Sequence, residues 1–163
     1  MRFEELSKLI FEELKPKLEN HQGLSIFARE RAKFEGWLKV ELCYSLSKHF
    51  TNVCPEKDRT DIVFGDWAIE LKTVNTNVRY DGVKNKNRPI TKNTQGVVDD
   101  IEKLRRTGFT YKAVLFVTFP ITHDNEYWQT QLKRIRSQLS AINHVEFDFK
   151  DKIPGVLYLR LIS

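Results

Sequence analysis

Two acidic residues and a lysine near the middle of the chain are spaced so that a β-hairpin would bring them together. Residues 61–64 (DIVF) and 67–72 (WAIELK) are strand-like segments, and Gly65 between them is typical of a tight hairpin turn. A two-residue turn fixes the register of the two strands and sets Asp61 directly opposite Glu70. The two carboxylates then share one face of the sheet, with Cβ atoms about 4.5 to 5.5 Å apart.

Such a pair of carboxylates is suited to binding a metal ion. Their mutual repulsion is roughly 3 kcal/mol at an effective dielectric constant near 20, and a bound cation would convert it into chelation. Asp61 and Glu70, with a backbone carbonyl and waters, suit Mg²⁺ or Mn²⁺. Lys72 lies on the same face, where its ammonium can orient or acidify an attacking water or neutralise charge on a phosphate. The alternative is a solvated sheet face on which Lys72 pairs with Glu70.

The other face of the predicted hairpin is wholly apolar, so we expect this face to pack against the core. The apolar residues are Ile62, Phe64, Trp67, Ile69 and Leu71.

Helical periodicity precedes the hairpin. Apolar residues at three- and four-residue steps predict one helix over 3–18, a loop at 21–23 and a second helix over 27–48. Glu41 falls near the middle of the second apolar stripe, and Glu35 lies toward its edge. Because a buried carboxylate needs a partner, Glu41 is a candidate for the metal site; a salt bridge to a nearby Lys or Arg is the alternative.

A polar segment over 73–92 follows the hairpin and predicts a long functional loop. Asp81 is the only acidic residue in this segment, so the loop could follow a phosphate backbone. The alternative is a merely solvated loop. The basic residues are Arg79, Lys84, Lys86, Arg88 and Lys92.

The rest of the pattern completes an α/β fold with a mixed central sheet flanked by helices. We predict a helix over 95–106, a buried strand over 112–119, and strands over 145–149 and 156–161. A helix after Asp124 carries an apolar stripe, outside which Lys133, Arg134 and Arg136 could extend the basic surface. The stripe comprises Trp128, Leu132, Ile135, Leu139 and Ile142.

Length and composition favour one intracellular domain. The chain has 163 residues, with 27 Lys plus Arg against 22 Asp plus Glu and a net charge of +5. We divide the domain 1–163 into an N-terminal helix (1–22), a core (27–119) and a C-terminal helix with strands (123–163). No apolar run is long enough for a membrane span or typical of a signal peptide. Two cysteines without zinc-type spacing indicate a reduced, cytoplasmic protein.

The sequence also argues against other classes of site. Isolated glycines form no phosphate-binding loop, so no nucleotide cofactor is expected. The four His residues show no paired spacing with Cys or Glu, so zinc is not expected.

The arrangement resembles the PD-(D/E)xK phosphodiesterases, also called the restriction endonuclease-like superfamily. The resemblance rests on Asp61, the next eight residues and the run Glu70-Leu71-Lys72. It also rests on the order helix, three-strand meander, helix and strand over 27–119. Thr60 stands where the family often has proline. The resemblance implies a restriction endonuclease-like core, extended here by the additional N-terminal helix.

The resemblance also implies roles for individual residues. Asp61 and Glu70 would bind Mg²⁺ or Mn²⁺, and Lys72 would be the catalytic lysine. Many members add a glutamate from the first core helix; Glu41 is our first choice for it and Glu35 the second.

The implied function is metal-dependent hydrolysis of DNA, by an endonuclease of the restriction, repair or recombination type. The helix after the basic loop often contributes to the substrate side, here through Gln95 and, as a second choice, Lys103. Since many members cut both strands as dimers, a homodimer is compatible with this interpretation. The alternative is a catalytically silent nucleic-acid-binding or assembly module with the same fold.

Overall fold

The computed structural model describes residues 1–86, 89–136 and 141–163, and it is an α/β structure built on one mixed sheet. In these ranges the helices are α1 (Phe3–Asn20), α2 (Gln22–Glu30), α3 (Glu35–Ser47), α4 (Ile90–Arg105) and α5 (Glu126–Arg136). The strands are β1 (Val53–Lys57), β2 (Thr60–Phe64), β3 (Trp67–Asn75), β4 (Tyr111–Phe119), β5 (Ala141–Asp148) and β6 (Pro154–Ile162).

The strands lie in the order β1-β2-β3-β4-β6-β5. β3 and β4 are parallel, whereas the other neighbouring strands are antiparallel. A parallel pair needs a crossover connection, and α4 provides it by packing against β3 and β4. The predicted mixed central sheet flanked by helices is therefore confirmed.

The β2–β3 hairpin has the register that its two-residue turn predicts. The paired residues are Ile62 with Ile69, Val63 with Ala68, and Phe64 with Trp67. The predicted apolar face lies in the core that the sheet forms with α1 and α3. Ala68, on the opposite face, belongs to the core under α4 and α5. The acidic face of the hairpin is therefore the face that α4 covers.

β1 extends the hairpin into an antiparallel meander of three strands. The sequence pattern does not predict β1, because Pro55, Glu56 and Lys57 are all exposed and show no apolar alternation. β1 is the edge strand of the sheet, where proline is tolerated since one side of the strand needs no hydrogen-bonded partner.

The predicted single helix over 27–48 is wrong, because the chain breaks between α2 and α3. Arg31 ends α2 in the left-handed region, with φ of 54°. Its buried guanidinium donates hydrogen bonds to the carbonyl oxygens of Val78 and Lys84, among others. The break therefore places the Arg31 guanidinium where its hydrogen bonds hold the connection between β3 and α4 in position.

Two predicted loops are shorter than expected. The prediction of a loop at 21–23 is wrong, since His21 caps α2 by accepting a hydrogen bond from the N–H of Leu24 at Nδ1. β3 and α4 extend from either side into the predicted loop over 73–92. This leaves 76–89 as the connection between them.

The C-terminal helix is shorter than its apolar stripe predicts. α5 ends at Arg136, Leu139 lies outside the described residues, and Ile142 lies on β5. Ile142 packs against the same core as α5. The apolar stripe therefore marks residues that share one core, although they lie on a helix and then on a strand. β5 also begins before the predicted strand at 145–149 and ends one residue sooner.

Within the described ranges, none of the helices combines the length and the apolar character needed to cross a membrane. Cys43 and Cys54 are both free thiols.

Candidate functional site

The candidate site lies where β2 stops pairing with β3 and leaves one edge of β3 open. Two β3 amides at this edge donate to side-chain carboxylates instead of to a strand. Leu71 N lies 2.9 Å from Asp61 Oδ2, and Thr73 N lies 3.0 Å from Glu35 Oε1. Because the N–H and C=O of one strand residue point to the same side, the Leu71 carbonyl also faces this edge. We call this region the β3 notch; its charged residues are Glu35, Lys39, Asp61, Glu70, Lys72, Asp100 and Lys103.

Asp61 is held in its ionised form by its neighbours. Besides the Leu71 amide, its Oδ1 lies 2.8 Å from Nζ of Lys39, a residue of α3 that also bonds Glu56. Burial alone would raise the pKa of Asp61, but the Lys39 ammonium and the Leu71 N–H together bring it below its usual value. At neutral pH Asp61 is therefore a fixed negative charge at the notch.

Glu70 is the buried carboxylate of the notch, with 3% of its surface exposed. Burial and a hydrogen bond with Asp61 together raise the pKa of Glu70 to about 7, against the lowering effect of Lys103. Lys103 Nζ lies 2.7 Å from Glu70 Oε1. The predicted meeting of Asp61 and Glu70 is present, and their repulsion appears as this difference between their two pKa values.

Lys72 lies on the same face but pairs with a residue that the sequence analysis did not single out. Its Nζ is 3.0 Å from Asp100 Oδ2 on α4. Burial would lower the pKa of Lys72, but Asp100 raises it above its usual value, so Lys72 is a cation at neutral pH. The alternative in which Lys72 pairs with Glu70 is wrong, because Lys103 occupies that position.

The helical spacing of α4 brings three of its residues to β3. Gly96, Asp100 and Lys103 are four and three residues apart and therefore share one helix face. A Cβ at Gly96 would lie only 3.1 Å from the Cε of Lys72, so glycine there leaves room for the lysine stem. This spacing was visible in the sequence, but only the parallel crossover brings this face of α4 over β3.

The two candidate glutamates of α3 point to different places. Glu35, our second choice, reaches the notch, where its Oε1 accepts from both the N–H and the hydroxyl of Thr73. Glu41, our first choice, forms a salt bridge with Lys17 of α1 at 2.7 Å. This is the alternative to a metal-site role that the sequence left open. Glu41 therefore lies in the α1–α3 contact, and Glu35 is the helix carboxylate at the notch.

The basic residues of the predicted loop are exposed wherever the structure describes them, which fits both a phosphate-binding loop and the solvated-loop alternative. Arg79, Lys84, Lys86 and Lys92 are all exposed, and Arg88 lies outside the described residues. Lys84 is partly neutralised by Glu30, 3.1 Å away. The loop is anchored by the contacts from Arg31 and by Val83, which is buried in the core.

Gln95 and the basic residues of α5 do not contribute to the notch. Gln95 is exposed and donates to Asp99 on its own helix at 2.9 Å. Lys133, Arg134 and Arg136 lie in the last turn of α5, which packs over a different part of the sheet.

A groove of about 520 Å³ lies next to the notch, between the β1–β2 turn and the C-terminal half of α4. Lys103 belongs to both features, so the groove adjoins Glu70. Three cations, Arg59, Lys103 and Arg106, line this groove together with three acids, Asp58, Asp99 and Glu102, so its lining has no excess of positive charge.

The donor set that the notch could offer a hard divalent cation is small. No set of three Asp, Glu, His or Cys side chains in the described ranges forms a metal-binding group. Asp61 and Glu70 could instead provide two carboxylates and Leu71 a carbonyl oxygen. Mg²⁺ commonly binds through one or two protein carboxylates and keeps several waters, so this smaller donor set fits it.

Comparison of the chain with protein-family models, curated proteins and solved structures finds no match. The function must therefore be argued from the notch itself.

Proposed function

We propose that this protein is a metal-dependent nuclease that hydrolyses DNA phosphodiester bonds, an endonuclease of the PD-(D/E)xK type. One observation carries the proposal: Asp61 and Glu70 meet at the open edge of β3, with Lys72 on the same face. A stability-driven sequence gains nothing from two adjacent carboxylates there, whereas phosphodiester hydrolysis requires both anionic ligands and a nearby cation.

In this proposal each notch residue has a chemical task. Asp61, Glu70 and the Leu71 carbonyl would hold Mg²⁺ or Mn²⁺, and the bound ion would lower the pKa of a water and offset charge on the phosphate. Lys72 orients the attacking water and stabilises the negative charge that grows on the phosphoryl oxygens. Glu35 orients this edge of β3 through Thr73.

Lys103 and Asp100 have supporting tasks. Lys103 keeps Glu70 ionised often enough to accept a metal, since the pKa of that carboxylate is about 7. Asp100 holds the Lys72 ammonium in place over β3.

DNA is the proposed substrate because cations surround the notch. The net charge of +5 favours a polyanionic partner. The exposed basic loop supplies phosphate contacts, and Arg59 and Arg106 add two guanidinium groups in the groove that Lys103 also lines.

The test is cleavage of supercoiled plasmid and of single-stranded DNA with Mg²⁺, with Mn²⁺ and with EDTA. We expect metal-dependent nicking by the wild type. The nicking rate should fall by about 100-fold or more in Glu70→Gln and Lys72→Met. Glu13→Gln is the matched control, because Glu13 also pairs with a lysine, Lys48, but away from the notch. Nicking that survives in EDTA, or in both notch variants, would contradict the proposal.

A second candidate function is a nucleic-acid-binding module without catalysis. It is favoured by the ion pairs at the notch, where Lys39 and Lys103 each lie within hydrogen-bonding distance of a proposed metal ligand. Thermal unfolding with Mn²⁺ separates the two functions, since only a true metal site gains stability from the ion. DNA binding without cleavage, and without stabilisation by Mn²⁺, would favour the binding module.

A further inference from the structure

A second polar cluster lies on the same face of the sheet, under α5, and the proposed nuclease chemistry does not use it. Arg160 of β6 occupies the same cross-sheet row as Glu70, with Val114 of β4 between them. Only 1% of Arg160 is exposed, and its Nε and Nη1 have no hydrogen-bond acceptor among the residues that the structure describes. A guanidinium that is buried without an acceptor or a counter-ion is strongly unfavourable. We call the group the Arg160 cluster; it comprises His123, Arg136, His144, Tyr158 and Arg160.

The charged group that acts most strongly on Arg160 is also cationic. Burial, and then the Arg136 guanidinium at the end of α5, lower the pKa of Arg160 to about 9. No carboxylate in the described ranges forms an ion pair with Arg160. Glu146 of β5, which acts electrostatically on both histidines of the cluster, accepts a hydrogen bond from the backbone N–H of His123 at 2.7 Å. The cluster therefore has an excess of positive charge.

Hydrogen bonds and ring stacking hold the remaining members in place beside Arg160. The Tyr158 hydroxyl accepts from Trp128 Nε1 at 2.8 Å and lies 2.8 Å from His123 Nδ1. The rings of His123 and His144 stack with centroids 3.6 Å apart. Arg136 and His144 are exposed and His123 is half-buried, so the cluster opens to solvent at this end of α5.

We propose that the Arg160 cluster binds a phosphate oxyanion between Arg160 and Arg136. A phosphate oxyanion offers several acceptor oxygens in the geometry that guanidinium groups match best. It would satisfy the donors of Arg160 and replace the repulsion between the two arginines with two attractive contacts. Inorganic phosphate and the terminal phosphate of a DNA strand share this chemistry.

Thermal unfolding tests the proposal without reference to cleavage. The wild type is titrated with inorganic phosphate in EDTA, with chloride holding the ionic strength constant. We expect Tm to rise with the logarithm of the phosphate concentration above the dissociation constant, and to have risen by about 5 °C or more at a roughly 100-fold excess over that constant. No rise, or a rise that is linear in phosphate concentration as for a general salt effect, would overturn the proposal.

Three variants locate the effect. Arg136→Gln changes an exposed residue and should fold, but it should lose the phosphate-dependent rise. Lys133→Gln removes an exposed cation from the same turn and should keep the rise. Arg160→Met should lose the rise and, in phosphate-free buffer, should be at least as stable as the wild type, because it removes an uncompensated buried charge. An equal rise in all variants, or an Arg160→Met protein less stable than the wild type without phosphate, would contradict the assignment.

A second titration identifies the source of the phosphate. Short single-stranded DNA with and without a 5′-phosphate is compared with inorganic phosphate. Stronger binding of the phosphorylated strand, lost in Arg136→Gln, identifies a strand end as the ligand. An effect of inorganic phosphate alone identifies the free ion.

Discussion

Lys103 Nζ lies 2.7 Å from Oε1 of Glu70, so the crossover helix α4 supplies the counter-ion of a carboxylate buried on the strand before it. The two residues differ greatly in solvent contact, since 45% of the Lys103 side chain is exposed but only 4% of the Glu70 side chain. Solvent therefore screens the lysine well and the carboxylate poorly. Loss of this ion pair should cost more than loss of a surface pair.

We predict that Lys103→Met destabilises the protein by about 1 to 2 kcal/mol at pH 8 and by less at pH 5. At pH 8 Glu70 is ionised and loses its partner, whereas at pH 5 it is already protonated in the folded protein. Urea unfolding at the two pH values measures the difference. Lys48→Met is the control, because Lys48 is similarly exposed but its partner Glu13 is more exposed than Glu70. Equal losses in the two variants at pH 8 would contradict the role of burial.

Glu70 should make the metal-free protein less stable as the pH rises. Burial raises its pKa to about 7, from 4.5 in the unfolded chain. Between these values the folded state binds more protons than the unfolded state, so the free energy of unfolding falls as pH increases and levels off above pH 7. We expect the stability of the wild type relative to Glu70→Gln to decrease from pH 5 to pH 8 in EDTA.

Glu13 provides a control of opposite sign. Its hydrogen bond with Lys48 lowers the pKa of Glu13, so the wild type should gain stability over Glu13→Gln as the pH rises through that pKa. If the Glu70 difference were flat or rose with pH, Glu70 would not be the buried, proton-binding member of the pair.

The two glutamates of α3 give a prediction about activity. Glu35→Gln should lower the rate of plasmid nicking by about 10- to 100-fold, because Glu35 orients the edge of β3 that carries the proposed metal ligands. Glu41→Gln should keep the rate within about twofold, since Glu41 contacts Lys17 and not the notch. Thermal unfolding of both variants checks that they fold. The opposite ranking would restore Glu41 as the helix carboxylate of the site.

The hairpin could be predicted from the sequence because its information is local. A two-residue turn and strict alternation fix which residues face each other, so the positions of Asp61, Glu70 and Lys72 followed without knowledge of the rest of the fold. The partners of these residues could not be predicted in the same way. Asp100 and Lys103 reach the hairpin only because α4 crosses between parallel strands.

The choice of Glu41 over Glu35 shows the limit of the apolar stripe as evidence. The stripe predicts which side of α3 is covered but not whether α1 or the sheet covers it. α1 and the sheet both pack against α3, and Lys17 of α1 satisfies Glu41. The break at Arg31, which sets where α3 begins and so where Glu35 lies, depends on contacts with a loop more than 40 residues later.

Gly96 separates activity from stability. An alanine Cβ at this position would meet Lys72 Cε at 3.1 Å, a distance at which the lysine stem must shift. Because Cε carries the ammonium group, the shift should move Nζ away from its position beside Asp100. We therefore predict that Gly96→Ala lowers the nicking rate by about tenfold, as a displaced catalytic group does.

The stability of Gly96→Ala should not fall with its activity. Replacing a glycine inside a helix with alanine favours the folded helix by up to about 1 kcal/mol, which offsets the strain at Lys72. Gly36→Ala is the matched control, since Gly36 also lies in a helix and a Cβ there would meet nothing within 4 Å. Gly36→Ala should keep full activity, and urea unfolding should show no loss of stability in either variant. A Gly96→Ala protein that cleaves DNA as fast as Gly36→Ala would show that the position of Lys72 does not limit the reaction.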